Sequence, residues 1–137
     1  MIVDTSVIYA LLDSRDGAHD EAVEWYRVAD PEFETSPFVL AEMDHMAGRI
    51  LGANAQRAWR ADVAAGVYRV EWWDTAAVDS IAVADRYADL AVGITDGSLV
   101  ALADRLGVVE IATLDQRHFR AMAAASGESF ILLPMDF

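Results

Sequence analysis

Two stretches of this chain end an apolar run at an aspartate with hydroxyls beside it: IVDTS at residues 2–6 and VVEIATLD at residues 108–115. Asp fits poorly inside a strand, so Asp4 and Asp115 suit strand ends that open on a crevice. Thr5 and Ser6 stand beside the first, Thr113 beside the second. If the two strands run parallel, both acids lie at one sheet edge. Two further acids fall on helical patterns. Glu42 lies within the stripe Val39, Met43, Met46 and Ile50, and its spacing points it with that apolar face. Asp96 heads a stripe of Leu99, Ala103 and Leu106. Four carboxylates turned inward or toward a strand edge are costly unless something neutralises them. A hard divalent cation does so, and Mg2+ or Mn2+ suits an all-carboxylate site completed by water. Each acid also has a plainer role open to it: Asp4 as a solvated strand end, Glu42 as a side chain reaching past the stripe, Asp96 as a helix cap, Asp115 as a turn residue.

The elements that must carry these acids alternate along the chain. IVDT reads as a strand and Ala18 to Ala29 as a helix. SPFVLAEMDHMAGRILG predicts a helix with Ser36 as N-cap, Pro37 at its first position and Gly52 just past its end. Asn54 is placed to cap the next helix, closed by Gly66. VYRVEWW has strand composition, with one of Trp72 and Trp73 expected inward and the other outward. Thr75 then opens a helix to about Leu90. GITDGSLVALADRLG predicts a helix starting at Thr95 or Asp96 and stopped by Gly107. VVEIAT is a strand, DQRHFRAMAA a short helix and SFILLP a last strand. This order predicts an α/β fold, a mostly parallel central sheet between two helical layers, with its ligand crevice outside the carboxyl ends of the strands. Core packing is the expected fate of Trp25, Tyr26 and Trp59, with a helix surface that binds a partner or a second subunit as the alternative, and a solvated face that of Asp85 and Asp89.

At 137 residues the chain is expected to form one domain, residues 1–137. Hydrophobic residues make up 55%, which favours a packed core over disorder. No apolar run approaches the roughly 18–20 residues that span a bilayer, and an acid as early as Asp4 does not fit a signal peptide. No membrane association and a cytoplasmic location are the expectations. Cysteine is absent, which removes disulfides and thiolate metal sites. The net charge is −13, and all ten basic residues are Arg. Without Lys there is no P-loop lysine and no Schiff-base chemistry. The acid excess points to a bound cation, to a basic partner, or to both.

The start M-I-V-D-T-S, the S-P-x-V-x-A-E helix, the I-T-D-G-S helix start and the T-L-D-Q-R-H-F turn resemble PIN-domain ribonucleases, and more narrowly the VapC toxins of bacterial toxin–antitoxin pairs. The resemblance spans essentially the whole chain, with the motifs in family order. It implies a three-layer PIN-like fold and a Mg2+- or Mn2+-dependent endoribonuclease acting on RNA phosphodiesters. It carries Asp4, Glu42, Asp96 and Asp115 onto the family's acidic quartet, and Ser6 and Thr113 onto hydroxyl positions supporting it. It also implies a homodimer, and inhibition by a cognate antitoxin whose basic C-terminal segment enters the site. Arg117, two residues after Asp115, is the candidate phosphate contact, with surface solvation as its alternative. His118 has a substrate contact open to it, with a structural or solvated role the commoner outcome.

Other readings compete. Enzymes that form an aspartyl-phosphate also begin with an Asp after the first strand, but the haloacid-dehalogenase type wants an acid where Ser6 stands, and a receiver domain wants a Lys. A non-catalytic PIN-like domain binding a basic protein would fit the charge, yet has no need of four converging acids. A PIN nuclease in RNA processing outside a toxin system remains open.

Overall fold

The computed structural model describes residues 1–137 and contains one five-stranded sheet, all parallel. In chain order the elements are β1 (Ile2–Val3), α1 (Thr5–Leu12), α2 (His19–Ala29), β2 (Phe33–Thr35), α3 (Pro37–Met46), α4 (Ala53–Ala64), β3 (Tyr68–Val70), α5 (Ala76–Arg86), α6 (Ile94–Leu106), β4 (Glu110–Ala112), α7 (Gln116–Phe119) and β5 (Ile131–Leu133). The strand order is β3-β2-β1-β4-β5, which leaves β1 central. Successive strand residues face opposite sides of a sheet. Ile2 and Val3 are both fully buried, so helices cover both faces. No helix is long and apolar enough to cross a membrane.

Several ends follow from local chemistry. The Ser36 hydroxyl accepts the Val39 N–H, with Pro37 at the first turn of α3. After Met46 the helix continues through a wide turn, Ala47–Leu51, and stops at Gly52, whose φ of 97° belongs to glycine. Gly107, with φ of 67°, ends α6.

The structure departs from the sequence expectations at several places. β2 and α1 were not foreseen: β2 is three residues long, and α1 starts one residue after β1. Gly52 occupies the N-cap position of α4 instead of Asn54, whose side chain accepts from Arg57. The expected strand VYRVEWW shortens to Tyr68–Val70. Beyond it Trp73 turns back, its indole N–H donating to Asp79 and its ring lying under Arg105, while Trp72 is exposed. The helix after Asp115 ends at Phe119. The apolar face of α3 is Val39, Met43 and Ala47, so Glu42 and Ile50 lie outside it, exposed, and Leu106 of α6 is exposed too. Trp25 and Trp59 are buried and Tyr26 is half-buried, as core packing predicts, and Asp85 and Asp89 are exposed.

Candidate active site

The sheet register fixes the geometry. Val3 pairs with Ala112, so Asp4 and Thr113 emerge side by side from β1 and β4. The Asp4 N–H still bonds to the Ala112 carbonyl at 2.9 Å. Asp4 then becomes the N-cap residue of α1, at the carboxyl edge of the sheet. Its residue is only 5% exposed. The Ser6 hydroxyl donates to Asp4 Oδ2 at 2.6 Å, and the Thr113 hydroxyl donates to the same oxygen at 2.8 Å. Both hydroxyls also accept from the β4 exit, Ser6 from the Leu114 N–H at 3.0 Å and Thr113 from the Asp115 N–H at 3.0 Å. These side chains thus tie the ends of the two strands around one buried carboxylate.

Glu42 reaches the same edge from α3. It is exposed, and its Oε2 accepts the Thr5 hydroxyl at 2.8 Å. Asp96 sits in the first turn of α6, and its Oδ2 lies 2.9 Å from His118 Nδ1. Asp115 caps α7, its Oδ1 accepting the His118 N–H at 3.2 Å. Its Oδ2 is 3.1 Å from His118 Nδ1. A buried bond between the Ser36 and Ser98 hydroxyls, 2.6 Å long, holds the start of α3 against α6 and so fixes the spacing of the helices that bear Glu42 and Asp96.

The electrostatics are those of crowded acids. Burial raises the Asp4 carboxyl above the ordinary range, the hydroxyls of Ser6 and Thr113 oppose that, and the charge of Glu42 adds to it. Asp96 is pushed up to about 6, first by burial and then by the charge of Asp4, with the bond from His118 working the other way. No arginine pairs with any of the four acids, and His118 is the sole cationic partner of Asp96 and Asp115. Donor atoms of Asp96, Asp115 and His118 lie within 4.8 Å of one another. One buried carboxylate held by hydroxyls, with partly exposed acids beside it that are short of positive charge, fits a hard, oxygen-preferring divalent ion.

Every sequence-predicted acid therefore arrives at one edge, although Glu42 does so from an exposed helix face. Ser6 and Thr113 touch Asp4 directly. Arg117 is exposed on α7 and makes no ion pair. The roles of two residues escaped the sequence: Thr5, read only as a hydroxyl beside Asp4, is the partner of Glu42, and His118, read as a substrate contact or a structural or solvated residue, bridges two acids. Only the adjacency of Thr5 to Asp4, and the H in T-L-D-Q-R-H-F, pointed toward them.

Fold and site together define an α/β protein with a cluster of acidic side chains at the carboxyl edge of a parallel sheet. The chain belongs to the PIN-domain family, whose model matches residues 1–125. It is similar to Ribonuclease VapC26 of Mycobacterium tuberculosis, with 32% identity over 135 residues, covering 98% of this chain and 100% of the relative. Its fold matches the crystal structure of VapC20 of Mycobacterium tuberculosis, described as a sarcin-ricin loop cleaving toxin, with TM-score 0.77 and 23% identity over 89% of this chain and 95% of that one. It also matches FitAcB from Neisseria gonorrhoeae, with TM-score 0.63 and 18% identity over 95% of this chain and 96% of that one.

Proposed function

We propose that this chain, acting as one domain, is a VapC-type endoribonuclease toxin dependent on Mg2+ or Mn2+. The observation that carries the reading is the convergence of Asp4, Glu42, Asp96 and Asp115 at one sheet edge without arginine to neutralise them. Family membership and the near-full-length similarity to a ribonuclease support it.

In this reading the four carboxylates hold the ion. When bound, the ion lowers the pKa of coordinated water and offsets charge developing on the phosphoryl oxygens. Ser6 and Thr113 fix the Asp4 carboxylate through their bonds to its Oδ2, so that its geometry is set in advance. Thr5 does the same for Glu42. One carboxylate takes the proton of the attacking water. Arg117, free of an acidic partner, contacts a substrate phosphate. The acidic surface suits an antitoxin with a basic C-terminal segment that occupies the crevice and blocks RNA. A homodimer in the cytoplasm completes the reading.

The test is calorimetric titration of Mn2+ into the wild type and into Asp4→Asn, with cleavage of total RNA assayed for both with and without EDTA. Ion binding and cleavage should disappear together in the variant. Cleavage that survives EDTA, or a variant that cuts as well as the wild type, would overturn the nuclease assignment.

A further inference from the structure

His118 is not one of the four acids, yet it grips two of them. Its main-chain N–H donates to Asp115 Oδ1 at 3.2 Å, and its ring Nδ1 lies 3.1 Å from Asp115 Oδ2 and 2.9 Å from Asp96 Oδ2. The ring is only one-fifth exposed. The Nδ1 contact is also the one hydrogen bond that links α7 to α6. Like charges at this spacing push apart, and neither Asp96 nor Asp115 has another cationic partner.

We propose that His118 is a positioning residue, whose Nδ1–H clamps Asp96 on α6 to Asp115 at the end of β4 and sets the spacing of the two carboxylates for a cation. An ionised carboxylate only accepts hydrogen bonds. The nitrogen lying between two of them therefore carries the hydrogen, and a protonated Nδ1 has no lone pair for a metal. The oxygens it touches keep further lone pairs, so each can accept from the ring and face an ion together. His118 thus acts through its neighbours, as groups behind metal ligands commonly do. The inference rests on the reading of Asp96 and Asp115 as ligands.

The experiment compares His118→Ala with His118→Asn, because the Asn amide nitrogen stands at the same place along the side chain as Nδ1 and restores the N–H. Mn2+ affinity by calorimetry is expected to fall roughly 10–100-fold in the alanine variant, and to recover largely in the asparagine variant. Circular dichroism checks that both variants are folded. Pulsed electron paramagnetic resonance of Mn2+-loaded wild type should show no coupling to an imidazole nitrogen. Undiminished affinity in His118→Ala, equal loss in both variants, or an imidazole coupling that the alanine change removes would each overturn the positioning role. A wild type that takes up no Mn2+ would instead overturn the ligand assignment on which it stands.

Discussion

Asp4 and Asp96 are held where ionisation is unfavourable, and this has a measurable consequence. Burial raises both above their ordinary value of 3.8, Asp96 to about 6. The folded chain thus keeps protons that the unfolded chain has already released. Where the folded state binds more protons, stability falls as pH rises. For Asp96 that window runs from 3.8 to about 6, and the loss is complete above it. Asp13, Asp44, Asp79 and Asp136 shift downward and act at lower pH, where they lose stability as they protonate. Metal-free protein in chelator should therefore melt at a higher temperature near pH 5 than near pH 7.5, with Mn2+ reversing the difference at the higher pH. Asp96→Asn should melt higher than the wild type near pH 7.5 and remove much of the pH dependence. An unchanged melting curve would mean that Asp96 ionises without penalty. The strand-end acids were readable because an apolar run announces where a strand stops. Glu42 was misplaced onto the core face because Met46 and Ile50 widen the apparent stripe, whereas the buried face continues through Ala47. The Asp96–His118 contact joins residues 22 positions apart, which no local pattern reveals.

Among the elements, the fit of α5 against α6 positions Asp96. Gly97, its immediate neighbour, faces the carbonyl oxygen of Ser80, and a Cβ built there would lie 2.5 Å from that oxygen. The obstacle is backbone, so no side-chain rotation relieves it. Alanine is the better helix former by about 1 kcal/mol, yet overpacking of this kind costs about 1–3 kcal/mol. Gly97→Ala should thus be destabilised on balance in urea denaturation, and should bind Mn2+ more weakly because α6 must retreat from α5 with Asp96 on its first turn. A variant as stable and as tight as the wild type would remove the close approach as a determinant of the site. The glycine was visible within I-T-D-G-S, but not the carbonyl it meets. Helix α3 was readable from Ser36, Pro37 and Gly52, because capping chemistry is local. β2 was not, since Phe33–Thr35 is too short to show alternation, and α1 was hidden by VIYALL, an apolar run without a polar face.

For the molecule as a whole, a net charge of −13 must be reconciled with the RNA substrate proposed for it. Arg15, Arg60, Arg69 and Arg120 are taken up by ion pairs with this chain's own acids. Arg57 donates to Asn54, and Arg105 lies over Trp73. Of the remaining four, Arg27, Arg49, Arg86 and Arg117, the last sits on the short helix that Asp115 caps. Under the proposed function, attraction for RNA comes mainly from a cation held by the four acids and little from counterion release. For single strands, the logarithm of affinity falls with the logarithm of salt at a slope of about −0.7 per neutralised phosphate. Binding of labelled single-stranded RNA, followed by fluorescence anisotropy with Ca2+ as a stand-in ion, should show a shallow slope, no steeper than about −2. Arg117→Ala should reduce it by about 0.7, and EDTA should abolish binding. A slope steeper than about −4, or binding that ignores EDTA, would require a basic surface that four dispersed arginines cannot supply. The RNA would then be docking on a basic surface supplied from outside this chain, and the acidic crevice would not be what holds it.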